Sequence, residues 1–163
     1  MSSLEQLWAP WRFEYIQRAD ESNKDRCLFC SIAESDQDQD HLVIKRGASS
    51  FVLLNAFPYT SGHLMVAPYA HKGDLEGLDD GQLLEIHQLV QWGCRRLRSV
   101  YDPKGFNVGL NMGQASGAGI PDHVHWHVVP RWTGDTNFMT TVAGARVLPQ
   151  SLSDTWSILT SQE

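Results

Sequence analysis

Three of the chain's seven histidines fall on alternate residues of one short apolar run, His123-Val124-His125-Trp126-His127-Val128-Val129. In a β-strand the side-chain period is two, so the three imidazoles share one face, with Val124, Trp126 and Val128 on the other. Two chemistries suit such a row. Histidines two apart on a strand can chelate zinc. A neutral imidazole can instead attack phosphorus while its neighbour steadies the developing charge. The residues just upstream, Gly109-Leu110-Asn111-Met112-Gly113-Gln114-Ala115-Ser116-Gly117-Ala118-Gly119-Ile120, favour phosphate. Glycines let backbone N–H groups approach an anion, and Asn111 adds a side-chain donor.

A second cluster starts at Cys27-Leu28-Phe29-Cys30. That spacing is half of a zinc site, and a redox pair shares it. Two more ligands are needed, and His71 and His123 suit best. A Cys2His2 set would be closed and therefore structural. The row of histidines then divides: His123 serves the metal, while His125 and His127 serve the chemistry.

These residues need a sheet to hold them. Strands are expected at 41–46, 51–55, 62–68, 106–111 and 123–130, from β-branched and apolar runs bounded by turn residues. Residues 41–46 and 51–55 read as a hairpin, with 55–62 a surface crossover. From Asp79 to Tyr101 the apolar positions recur in steps of three and four, and Asp79 with Gln82 makes a capping box. His87 and Cys94 in that helix read as packing residues. Residues 34–41 read as a solvated acidic loop. The Trp8, Trp11, Phe13 and Tyr15 arm is expected to pack on the body or on a second subunit. A strand pair is expected near 140–147 and an amphipathic helix near 149–160. The expectation is an α+β domain with a mostly antiparallel five-stranded sheet, one long helix and a C-terminal helix.

At 163 residues the chain makes one domain, 1–163, with an N-terminal aromatic arm at 1–20 and a C-terminal extension at 131–163. The net charge of −6 argues against gripping a nucleic acid backbone. No apolar run reaches membrane-spanning length. Three cysteines and no secretory signal point to a reducing cytoplasm.

The run 121–132 resembles the histidine triad (HIT) signature, and the resemblance extends to residues 53–71, 105–139 and 7–16. It implies a HIT-like fold and a nucleotidyl hydrolase or transferase acting on a dinucleoside polyphosphate or related phosphoester. His125 would attack the α-phosphate, and His127 would contact phosphate and leaving group. His63 would support the triad. Asn55 would hold the ribose hydroxyls, and Leu53 and Met65 would line the base pocket. Asn111 and Gly117, Ala118, Gly119 and Ile120 would bind phosphate, with Ser116 near. Cys27, Cys30, His71 and His123 match the family's zinc positions, and members are commonly homodimers with a shared sheet. No organic cofactor is expected. The stretch Gly117-Ala118-Gly119-Ile120-Pro121-Asp122 lacks both the hydroxyl that hydrolase branches carry before the triad and the serine that phosphorylases of this branch carry in place of Gly119. With one donor fewer to hold a second phosphate, water is favoured over inorganic phosphate as acceptor. A phosphorylase is the alternative within the family. A non-catalytic nucleotide- or zinc-binding module is the alternative outside it, and a zinc hydrolase leaves Cys27 and Cys30 unexplained.

Overall fold

A computed structural model describes residues 26–135 and 148–161. The aromatic arm and the strand pair expected near 140–147 lie outside the described residues. Five strands, β1 Val43–Arg46, β2 Ser50–Leu54, β3 Leu64–Pro68, β4 Gly105–Leu110 and β5 Trp126–Arg131, form one sheet in the order β1-β2-β3-β5-β4. Every neighbouring pair is antiparallel. The helices are α1 Leu28–Glu34, α2 Asp80–Tyr101 and α3 Leu152–Thr160. The expected α+β architecture is therefore the observed one.

The sheet separates two apolar layers. On one face Val52, Leu54, Leu64, Val66, Val124, Trp126 and Val128 pack with Ile86, Leu89 and Leu97 of α2 and Leu159 of α3. On the other, Val43, Phe51, Leu53, Met65 and Ala67 pack with Phe29 and Ile32 of α1. β2 and β3 are buried along their whole length. That explains why they read as continuous apolar runs rather than alternating ones. α1 covers only part of its face, and the rest remains open beside β3 and β5.

α2 starts at the expected capping box. The Asp79 carboxylate accepts from the Gln82 N–H at 2.9 Å, and the Gln82 side chain accepts from the Asp79 N–H at 3.1 Å. It ends at Asp102, in a left-handed conformation, with Pro103 next, a stop signal the sequence carries openly. Gly93 lets α2 lie close on the sheet, since a Cβ there would stand 3.0 Å from Leu64 Cδ1. Glu85 reaches from α2 to the β1–β2 turn and accepts from the N–H groups of Ala48 and Ser49, each at 2.6 Å. The Arg46 guanidinium donates to the carbonyls of Ile32, Ala33 and Ser35 at the end of α1, and pairs with Asp38. The acidic segment 34–41 is thus tied at Asp38.

Three local expectations change. β2 and β3 pair directly, so residues 55–63 form a long hairpin loop rather than a crossover. His87 is exposed and meets Trp126 only at its ring edge, 6.0 Å between centroids. The third change concerns the histidine row itself. The β3–β5 ladder begins at Val66↔Trp126, so only His127 lies in regular strand. His123 and His125 occupy an extended lead-in, where the Val124 N–H donates to the Lys72 carbonyl at 2.6 Å. The alternation survives, since Val124 and Trp126 still face α2.

Candidate active site and metal cluster

His125 and His127 lie side by side, with ring centroids 5.0 Å apart and planes inclined at 68°. His125 is 5% exposed, and its ring packs on Phe29 at 4.8 Å. Its Nδ1–H donates to the His123 carbonyl at 2.9 Å. A carbonyl can only accept, so Nδ1 carries the proton and Nε2 keeps its lone pair in the neutral ring. Burial pushes the His125 imidazolium down, against a smaller upward pull from that carbonyl. The neutral form therefore dominates near pH 7.

His63 is fully buried. It follows Gly62, whose φ of 77° turns the chain where a Cβ would meet Leu97 Cδ2 at 2.8 Å. The Tyr59 N–H donates to His63 Nδ1 at 3.2 Å, so the His63 proton sits on Nε2, 3.0 Å from His127 Nδ1. This chain of bonds leaves the His127 proton on Nε2. Burial, with His127 and His125 nearby, lowers the His63 pKa to about 3.

The histidines open onto a cavity. Asn55, Met65, Asn111, Gly117, Gly119 and Ile120 line it with His125 and His127. Leu28, Phe29, Phe57 and Tyr59 complete the wall. Sequence reasoning missed these four. Leu28 and Phe29 lie inside the C-x-x-C spacing, and Phe57 and Tyr59 lie in the β2–β3 loop, where no periodicity marks them. Three expected residues sit elsewhere. Leu53 is buried among Phe29 and Met65. Ala118 does not line the cavity. Ser116 is exposed, and its hydroxyl donates to the Gly113 carbonyl at 2.8 Å. Asn55 accepts from the Phe57 N–H at 2.9 Å, which holds the loop at the rim.

Cys27, Cys30, His71 and His123 converge, with all four ligand atoms within 4.8 Å of one another. Cys27 Sγ lies 3.3 Å from His123 Nδ1, and Cys30 Sγ lies 3.2 Å from His71 Nδ1. The His123 Nε2–H donates to the Pro68 carbonyl at 2.9 Å. That bond leaves the Nδ1 lone pair facing the thiols, the outer-sphere arrangement usual for a metal-binding imidazole. Burial, with Cys27 alongside, pushes the Cys30 thiol up, so a cation must displace its proton. This donor set and its separations fit a tetrahedral four-ligand ion.

Comparisons with known proteins identify the family. The HIT domain family matches residues 36–134. An "AP-4-A phosphorylase" of Mycobacterium tuberculosis is 40% identical over 164 residues, covering 98% of this chain and 84% of that protein. The crystal structure of a Zn-bound histidine triad family protein from Mycobacterium smegmatis superposes with a TM-score of 0.67 at 27% identity, covering 83% of this chain and 91% of that one. Plasmodium falciparum diadenosine triphosphate hydrolase shares the fold, with a TM-score of 0.61 at 20% identity over 74% of this chain and 75% of that one. The family match spans the sheet and its histidines, and the chain belongs to the HIT family.

Proposed function

We propose that the chain is a nucleotidyl-transferring enzyme that cleaves a dinucleoside polyphosphate through a nucleotidyl-histidine on His125, with water as acceptor. The observation that carries this reading is the tautomer of His125. Its Nδ1–H is held by the His123 carbonyl, so the Nε2 lone pair is available without a separate base.

The nucleoside enters the cavity with its base against Leu28, Phe29 and Met65, its ribose near Asn55, and its α-phosphate near Asn111, Gly117 and Gly119. His125 Nε2 forms an N–P bond as the P–O bond to the polyphosphate breaks. The polyphosphate leaves as the anion, the His127 Nε2–H donates a hydrogen bond to the departing oxygen, and His63 holds His127 in the tautomer that can do so. In the second step a water oxygen bonds to phosphorus and the P–N electron pair returns to Nε2. One proton of that water stays on the monophosphate product or passes to solvent, and both histidines end in their starting tautomers. The products are a nucleoside monophosphate and the remaining nucleotide.

Phosphorolysis is the second reading, favoured by the name of the 40% identical mycobacterial relative. The Ser116 hydroxyl is turned to Gly113 and so does not replace the donor missing from Gly117-Ala118-Gly119. Backbone N–H groups would have to hold the second phosphate. Product analysis under phosphate titration separates the two. With diadenosine tetraphosphate, hydrolysis gives AMP and ATP at every phosphate concentration. Phosphorolysis gives ADP and ATP and stops without phosphate.

Cys27, Cys30, His71 and His123 would hold one zinc ion. When bound, the ion supplies a structural cross-link between α1, the segment after β3 and the lead-in to β5. A homodimer through β4 is also proposed. β4 is an edge strand of the sheet and carries Val108 at 49% exposure, and sedimentation would show a dimer mass. The free thiols of Cys27, Cys30 and Cys94 suit a cytoplasmic setting. Among the described residues, no helix is long and apolar enough to cross a membrane.

A further inference from the structure

A second depression adjoins the nucleoside cavity and shares Tyr59, Asn111 and His127 with it. It runs away from His125 along β4 and β5, past Asn107 and Gly109, to Arg131. The register explains its shape. Gly109 lies opposite His127, Asn107 opposite Val129 and Gly105 opposite Arg131, so β4 offers this face two glycines and one short amide. A Cβ at Gly105 or Gly109 would meet nothing within 4 Å, which leaves a trough with a bare backbone floor. Its far end holds the Arg131–Asp135 ion pair. Arg131 Nη1 donates to Asn107 Oδ1 at 2.8 Å, while Nε and Nη2 donate to the Asp135 carboxylate at 2.5 and 2.9 Å. These bonds fix the plane of the guanidinium and engage three of its five N–H donors.

We infer that this trough is the subsite for the leaving polyphosphate, with Asn107 and Arg131 as its anchoring residues; the inference rests on the proposed cleavage of a dinucleoside polyphosphate. Displacement at phosphorus runs in line, so the leaving oxygen departs on the side opposite His125 Nε2. The trough is lined by His127, the proposed donor to that oxygen, and not by His125. Along the strand, His127 and Arg131 stand roughly 13 Å apart at Cα, four residues at the β-strand rise. A single phosphate at His127 does not span that distance, whereas an extended polyphosphate chain approaches the guanidinium from the His127 end. The incoming acceptor of the second step must occupy the same in-line position. The trough is therefore also the entry route for water or phosphate once the leaving nucleotide has gone. The subsite sets a preference for polyphosphate leaving groups over small ones.

The test compares two substrates with the same adenylyl group, diadenosine tetraphosphate and adenosine 5′-phosphoramidate, in wild type and in Arg131→Gln. A charge-assisted hydrogen bond to phosphate predicts that the kcat/KM loss on the tetraphosphate exceeds the loss on the phosphoramidate by roughly tenfold or more. Asn107→Asp provides a second variant. An aspartate keeps an acceptor for Arg131 Nη1 but places a carboxylate in the trough, and the same selective loss is expected. Equal losses on both substrates would show that Arg131 merely holds the Asp135 turn, and would overturn the subsite. Unchanged kinetics in both variants would overturn it too, while leaving the proposed reaction standing. A wild-type protein that cleaves neither substrate would remove the proposed function and the subsite together.

Discussion

His123 and His125 are two residues apart, both nearly or fully buried and both in contact with the Phe29 ring, yet they face opposite tasks. The difference lies in which nitrogen a backbone carbonyl holds. In His123 the Nε2–H goes to Pro68, and Nδ1 turns to the thiols of Cys27 and Cys30. In His125 the Nδ1–H goes to His123, and Nε2 is left for the cavity. The carbonyl of His123, a proposed metal ligand, thus orients His125, the proposed nucleophile. One residue type gives a ligand or a nucleophile according to a single hydrogen bond.

Substitutions on the catalytic side and metal removal on the other should separate these tasks. His125→Ala is expected to cost several powers of ten in kcat with an unchanged fold, because the step that forms the intermediate is lost. Steady-state kinetics alongside circular dichroism checks both halves. Next in size is His63→Ala, which removes the donor that fixes the His127 tautomer. It should lower kcat on the order of 10²-fold with a smaller change in KM, and His63→Gln, which can still donate, should recover part of the loss.

Stripping metal with a chelator is the corresponding test at the other end. Protein as purified should carry about one zinc per chain for a single four-ligand site, and its removal should lower the Tm. Leu28 and Phe29 lie between the two cysteines and wall the cavity, so apo protein should show a higher KM before it shows a lower kcat. Zinc found elsewhere, or none from zinc-supplemented cells, would contradict the assignment.

The sequence carried the scaffold and most of the candidate site residues because they leave local marks. Alternating imidazoles, a C-x-x-C pair, a capping box and five short apolar runs are all visible without a structure. What it hid depends on contacts across the fold. The end of the β3–β5 ladder at Trp126 depends on where β3 stops. Tyr59 reaches His63 only through a loop conformation that no periodicity encodes. Arg131 becomes a feature of the site only once β4 lies beside β5 and puts Asn107 and Gly109 next to it. Ser116 is the reverse case, near the glycine-rich segment in sequence but with its hydroxyl turned to the Gly113 carbonyl.

A pH titration sharpens the comparison from the stability side. The folded His63 pKa is about 3 against an ordinary 6.5, so between those values the unfolded chain binds the extra proton. Stability from this group is complete above about pH 6.5 and falls as pH drops toward 3. His63→Gln should show a flatter acid limb in urea melts, and a limb as steep as wild type would contradict the assignment. The smallest effect is expected far from both ends of the row. Glu85→Gln weakens the tie between α2 and the β1–β2 turn and should lower the Tm by a few degrees with kinetics unchanged.

The central claim is the covalent step on His125, and trapping tests it most directly. Enzyme mixed with excess diadenosine tetraphosphate is quenched within the first turnover in alkali, where a phosphoramidate survives, digested and mapped by mass spectrometry. The account predicts the added mass of one AMP on the peptide that contains His125, appearing in a burst and disappearing when substrate is exhausted. Product formation with no adduct during the first turnover, or an adduct on a different residue, would contradict it.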